Sequence, residues 1–292
     1  MRRNLDRLLR DYIAPPPGMP AVDFSAPAGA PALLAPDSVT WRIMKNPVAL
    51  IVGGVAAVIL ELAEPRVRTG VWEHTSFRRD PVTRMRRTGY AAWVTIYAPA
   101  DAARALIAGV GRAHERVEGR TPAGVTYRAN EPELLNWVQA TAGFGFFEAY
   151  RRFVHALPPE DIDALYSEGV TAGSLYGATG VPRSAAAMEA LFAAMAPRLE
   201  RSDIVFEFLD IVRTAPLLPV KAIQRLMVRA AVEITPAWAR DILGLGPEFS
   251  LRRGEETLLR AMGAMSERFV LEDAPPAQAC MRMGLPANYL YR

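Results

Sequence analysis

The chain has 292 residues, of which 51% are apolar, 22% charged and 9% aromatic, a globular usage that excludes disordered and fibrous classes. A single cysteine, Cys280, excludes disulfide frameworks, cysteine-rich zinc sites and iron–sulfur clusters, and three histidines (His74, His114, His155) leave little material for a multi-histidine metal centre. The net charge of +3 comes from 34 basic and 31 acidic residues that are interleaved rather than blocked, so no nucleic-acid partner is expected.

The first twelve residues carry an arginine pair, but Asp6, Arg7, Arg10 and Asp11 interrupt any apolar export signal, and a cytoplasmic protein is expected. Residues 15–36 then hold seven prolines (Pro15, Pro16, Pro17, Pro20, Pro27, Pro31, Pro36) among small residues. Such a stretch reads as an extended arm, not a helix or central strand. The division expected is residues 1–38 as an N-terminal helix and proline-rich arm, and 39–292 as one all-helical domain.

The strongest apolar run is Val48 to Leu60, thirteen residues followed closely by Glu61 and Glu64. As a helix it would rise about 20 Å, short of the roughly 30 Å of a bilayer's hydrocarbon core. It reads as a buried core helix, with no transmembrane segment. Helical periodicity continues, giving helices near 39–45, 47–63, 65–70, 80–96, 101–118, 131–152, 160–176, 184–195, 202–213, 219–233, 236–243 and 252–269. Asp80-Pro81 and Thr235-Pro236 are cap-then-proline signals, and Gly244 is a helix stop. Asn130 and Glu133, three apart around Pro132, read as a capping box. Alternating strand patterns are almost absent. The fold class is all-α.

Common chemical signatures are missing. Gly109-Val110-Gly111 sits inside a helical pattern without a preceding strand, so it is not a dinucleotide loop, and there is no Walker lysine, G-x-S-x-G elbow or H-E-x-x-H. Gly143-Phe144-Gly145-Phe146 reads first as a close helix–helix contact. His114 is more informative. In a helix over 101–118 it continues the stripe Ile107, Val110, Val117, which turns its imidazole inward. It is either a hydrogen-bonded core histidine or a ligand or base, and an inward neutral imidazole is also what a buried haem requires. In Arg84-Met85-Arg86-Arg87-Thr88, Arg84 and Thr88 are i,i+4 neighbours on one face. Either this is an exposed basic face, or its arginines serve anionic partners such as cofactor carboxylates.

Taken in order, Gly70-Val71-Trp72-Glu73-His74-Thr75-Ser76, Asp80-Pro81, Arg84 to Thr88, His114 to Gly119, Tyr127 to Pro132 and Leu135-Asn136-Trp137-Val138 resemble the MpaB-type and rubber-oxygenase (latex-clearing protein) catalytic domain. The resemblance covers about residues 40–215 and is strongest over 70–138. It implies an all-helical domain that binds haem b and uses dioxygen on an apolar small-molecule substrate, with an electron donor as partner. It also implies His114 as the axial haem ligand through iron, Arg84 and Thr88 lining the haem pocket, and Arg87 above the distal face. The chain reads Ala63-Glu64-Pro65 where the family usually has Ala-His-Pro, and Trp137-Val138-Gln139 where it has Trp-Val-His. Two other readings stand beside the oxygenase. One is a non-catalytic helical module that binds an apolar ligand or partner. The other is a metal or acid–base enzyme built on Glu61, Glu64, Glu73 and His74.

Overall fold

The run from Val48 to Leu60 becomes the central helix of the molecule, α2 (Pro47–Ala63). A computed structural model describes residues 14–292; the helix expected ahead of the arm lies outside them. Asn46 caps α2, its side-chain oxygen accepting from the backbone N–H groups of Val48 and Ala49, and Pro47 starts the helix where a missing N–H costs nothing. Eleven of its seventeen residues are buried. This helix is too apolar to sit at a surface, so the others pack round it.

The main partner of α2 is α6 (Pro132–Phe153). The two backbones touch at Gly53 and Gly145. A Cβ on Gly145 would stand 2.4 Å from the Gly53 carbonyl oxygen, and one on Gly53 would stand 2.7 Å from that of Gly145. Only glycine allows this approach, and the helix–helix reading of Gly143-to-Phe146 holds. Around this pair stand α1 (Val39–Met44), α3 (Pro65–His74), α4 (Pro81–Tyr97), α5 (Ala100–His114), α7 (Pro159–Tyr176), α8 (Ala185–Met195), α9 (Asp203–Thr214), α10 (Lys221–Ile234), α11 (Ala237–Leu243) and α12 (Glu255–Ser266), with α13 (Pro275–Arg282) near the end. Together they form a single all-helical domain.

Four expectations need correction. The helix expected over 101–118 stops at His114, so Val117 is not on its face. The chain turns there, Val117 donating to the His114 carbonyl at 2.9 Å, and enters a hairpin of β1 (Glu118–Arg120) and β2 (Thr126–Arg128). Tyr127 is buried on this hairpin against Gly70 and Gly119, an anchoring a longer helix would forfeit. The capping box at Asn130 does not form, because Glu131 takes the N-cap position. Asn130 donates instead to the Gly111 carbonyl at 3.3 Å, and Glu133 is drawn to Arg66 and Arg198. The helix reading over 65–70 was short, since α3 runs on to His74. Helix α13 was missed. Two prolines open it, and its apolar positions are too few to signal a period.

That missed helix holds the arm. Arg282, buried, donates to the carbonyls of Phe24 (2.7 Å) and Ala30 (2.9 Å), and its own carbonyl accepts from Gly29. Phe24 enters a second apolar cluster with Trp41, Tyr90, Tyr97 and Cys280. The arm is an extended strap across α1, α4 and α13.

Candidate functional site

Three helices deliver one titratable or charged side chain each to a common region. These are Glu61 from the last turn of α2, Arg84 from α4 and His114 from the last residue of α5. Arg84 lies within electrostatic reach of both Glu61 and His114. All three are half-buried. Burial pushes the Glu61 carboxyl up to about 7, and the Arg84 guanidinium works against that rise. Burial also depresses His114, with Arg84 adding to the effect. The imidazole is therefore kept neutral, with a lone pair free to donate. Arg84 itself is lowered by burial, with Glu61 opposing and Arg87 reinforcing the shift.

The local sequence explains these placements. Asp80 caps α4, accepting from the Thr83 N–H at 3.1 Å, and Pro81 sets the first turn. From that start Arg84 and Thr88 share a face, as their spacing predicts. Arg84 donates to the Thr88 hydroxyl, which donates to the Arg84 carbonyl at 3.1 Å. Among the described residues no carboxylate hydrogen-bonds Arg84, which leaves donors for an anion. Gly111, one turn before His114, is half-buried, and a Cβ there would meet nothing within 4 Å. The helix face one turn before the imidazole is thus unobstructed at Gly111.

The other predicted residues meet this trio only at its edge or not at all. Arg87 is near Arg84, but its guanidinium turns to the arm and donates to the Pro17 carbonyl through Nε at 2.8 Å and through a terminal nitrogen at 2.5 Å. Thr88 is exposed at the rim. His74 ends α3 at the surface, edge-on to Tyr127 at 6.5 Å. His155 lies exposed beyond the end of α6. Among the described residues, no three His, Cys, Asp or Glu side chains converge to hold a metal ion, and Glu61, Glu64, Glu73 and His74 do not form a common centre.

The two departures from the family pattern have structural uses. Glu64 is 2% exposed, accepts from the Val67 N–H at 2.8 Å and pairs with Arg66 at 2.7 Å. It caps α3, a role a carboxylate fills well at a helix N-terminus. Gln139 packs against Gly173 of α7. Sequence alone groups Glu61 only with Glu64, Glu73 and His74. The signal that could have set it apart is its place as the first charge at the end of a buried apolar helix, where a carboxylate needs a nearby cation.

Two open clefts, of about 480 and 430 Å³, lie elsewhere. One is lined by Trp72, Glu73, Thr75, Arg78 and Arg79, the other by the arm with Tyr90, Asp273 and Gln278. Neither carries the chemistry of the Glu61–Arg84–His114 group.

Residues 41–267 match the family model described as ER-bound oxygenase mpaB/B′/rubber oxygenase, catalytic domain. Among curated proteins, the uncharacterized protein Rv2237 of Mycobacterium tuberculosis and Mb2261 of Mycobacterium bovis are each 36% identical over 127 residues, 41% of this chain. The chain spans about half the length of these relatives, 48% in each case. No solved structure matches.

Proposed function

The chain belongs to the family of ER-bound oxygenase mpaB/B′ and rubber oxygenase catalytic domains, and from that premise we propose that it is a haem b-dependent oxygenase acting with dioxygen on an apolar small molecule. The observation that carries the reading is His114. It is a half-buried imidazole kept neutral by burial, with Arg84 beside it and open space at Gly111. That donor set fits a haem. A neutral nitrogen suits iron, and an arginine with open donors suits a propionate carboxylate.

In this reading His114 would hold the iron and Arg84 would pair with a carboxylate of the macrocycle. Thr88 fixes the Arg84 rotamer through its hydroxyl. Bound haem would supply the iron centre at which dioxygen is activated. Glu61, with its carboxyl raised to about 7, can hold or release a proton near neutral pH at the same place. Arg87 contributes only if its guanidinium leaves Pro17. The alternative of a non-catalytic module rests on the Glu64 and Gln139 departures, and both residues also have structural roles. Glu64 is accounted for by capping and Gln139 by packing, without any loss of the His114 and Arg84 positions.

Haem stoichiometry and the Soret band of the purified full chain test this. The wild type should bind one haem, His114→Ala should lose it while keeping its helical circular dichroism, and Arg84→Ala should lower occupancy. Full haem with an unshifted Soret band in His114→Ala, or loss in His74→Ala instead, would overturn the assignment.

A further inference from the structure

At the other end of α2 from Glu61, α12 packs across the start of α2 and the end of α6. It does so through Gly263, where a Cβ would stand 2.2 Å from the Phe153 carbonyl oxygen, and through Asn46, which donates to the Gly263 carbonyl at 3.3 Å. Its inner face holds buried Leu259 and Gly263. The outer face is unusual. Seven large apolar side chains are exposed among the described residues, and four of them fall within residues 258–271: Leu258 (52%), Met265 (59%), Phe269 (64%) and Leu271 (41%). Leu258 and Met265 are seven apart and share a face. Scattered exposed apolar residues need no explanation, but a cluster does.

The charges in this segment are sorted by sign. Its glutamates are held in ion pairs within the protein. Glu255 pairs with Arg229, Glu256 with Arg152 at 3.0 Å and with Arg260, and Glu267 with buried Lys45. Its arginines face out, with Arg260 and Arg268 exposed among the apolar side chains and Arg252 and Arg253 exposed at the start of the segment. No acidic residue is exposed from 257 to 271; Glu272 and Asp273 are exposed just beyond and end the patch. An outward face of aromatic and aliphatic side chains set among arginines is the signature of a helix lying in a lipid interface.

We propose that the outer face of α12 with residues 268–271 docks the protein on an anionic phospholipid surface. Phe269, Met265 and Leu258 would enter the headgroup–acyl boundary, with Arg260 and Arg268 on the lipid phosphates. A second copy of the chain fits less well. Four partly exposed apolar side chains make a small patch beside the roughly 800 Å² of total surface per partner in a stable dimer. The charge sorting also suits an anionic surface better than a self-complementary one, which would set arginine against arginine. No single helix among the described residues is long and apolar enough to cross a membrane. The proposal does not depend on haem binding.

The test is flotation of the full chain with vesicles of phosphatidylcholine alone or with about 30 mol % phosphatidylserine. The expected result is binding to the anionic vesicles, about tenfold stronger than to neutral ones and weakened by salt. The double variant Met265→Ser/Phe269→Ser should lose about tenfold, and Arg268→Glu severalfold, with unchanged circular dichroism. Absence of vesicle binding, or binding undiminished in both variants, would overturn the proposal. A dimer in sedimentation that the double variant dissociates would assign the face to a second copy and also overturn it.

Discussion

Glu61 on α2 and Arg84 on α4 lie within electrostatic reach of one another: burial raises the Glu61 carboxyl to about 7, and among the described residues the arginine opposes that rise. Burial of Glu61 makes folding pH-dependent in a defined direction. The folded chain holds this proton more tightly than the unfolded chain does. The group's contribution is therefore complete below about pH 4.5 and is lost as pH rises through 7. Glu61→Gln, which stays neutral, should be more stable than wild type above pH 8 by up to about 3 kcal/mol, and the gap should close near pH 5. Urea unfolding at the two pH values measures it. An equal difference at both would mean that Glu61 is charged throughout.

Gly145 is the tightest point of the α2–α6 contact. Gly145→Ala would bring a methyl carbon to 2.4 Å from the Gly53 carbonyl and 3.2 Å from the Ala57 nitrogen, both backbone atoms that cannot swing aside. Alanine's better helix propensity recovers about 1 kcal/mol, less than the strain of overpacking. A net loss of about 2 kcal/mol is expected in urea melts. A neutral result would show that the two helices can part at little cost.

Arg282 is the main tie between α13 and the arm. Arg282→Ala would leave the carbonyls of Phe24 and Ala30 without their donor and open space in the second apolar cluster. A loss of about 2–3 kcal/mol is expected, together with faster limited proteolysis between residues 20 and 35. An arm as protected as in wild type would shift the tether to Tyr90, whose hydroxyl donates to the Pro20 carbonyl and accepts from the Val22 N–H, both at 3.0 Å.

His155 provides the control for the haem assignment. It is exposed and follows the end of α6. His155→Ala should leave haem content unchanged and alter stability by no more than about 0.5 kcal/mol. Loss of the Soret band in this variant would move the ligand away from His114.

The element pattern was legible in the sequence because it is written in local chemistry. The run Val48–Leu60 has one outcome in water, burial. Asp80-Pro81 starts α4 as its residue types require, and Gly244 stops α11 in the left-handed conformation at φ 70°. The i,i+4 spacing of Arg84 and Thr88 was enough to put them in contact. The order of short motifs from Gly70 to Val138 was enough to indicate the family that residues 41–267 match.

What the tertiary structure decided are the choices between partners far apart in the chain. Asn130 could cap α6 or bind Gly111, and the proximity of α5 selected the second. Helix α5 could have run to residue 118, but burial of Tyr127 against Gly70 and Gly119 favoured the hairpin. Arg87 could face the site or the arm, and the Pro17 carbonyl took it. Glu61 carries the same residue type as Glu64, three positions on; one lies beside Arg84 and the other caps a helix. Each of these depends on which long-range neighbour the packed fold brings within hydrogen-bond or Coulomb range. Local propensity does not encode that, because interactions of this kind exist only once the helices have packed.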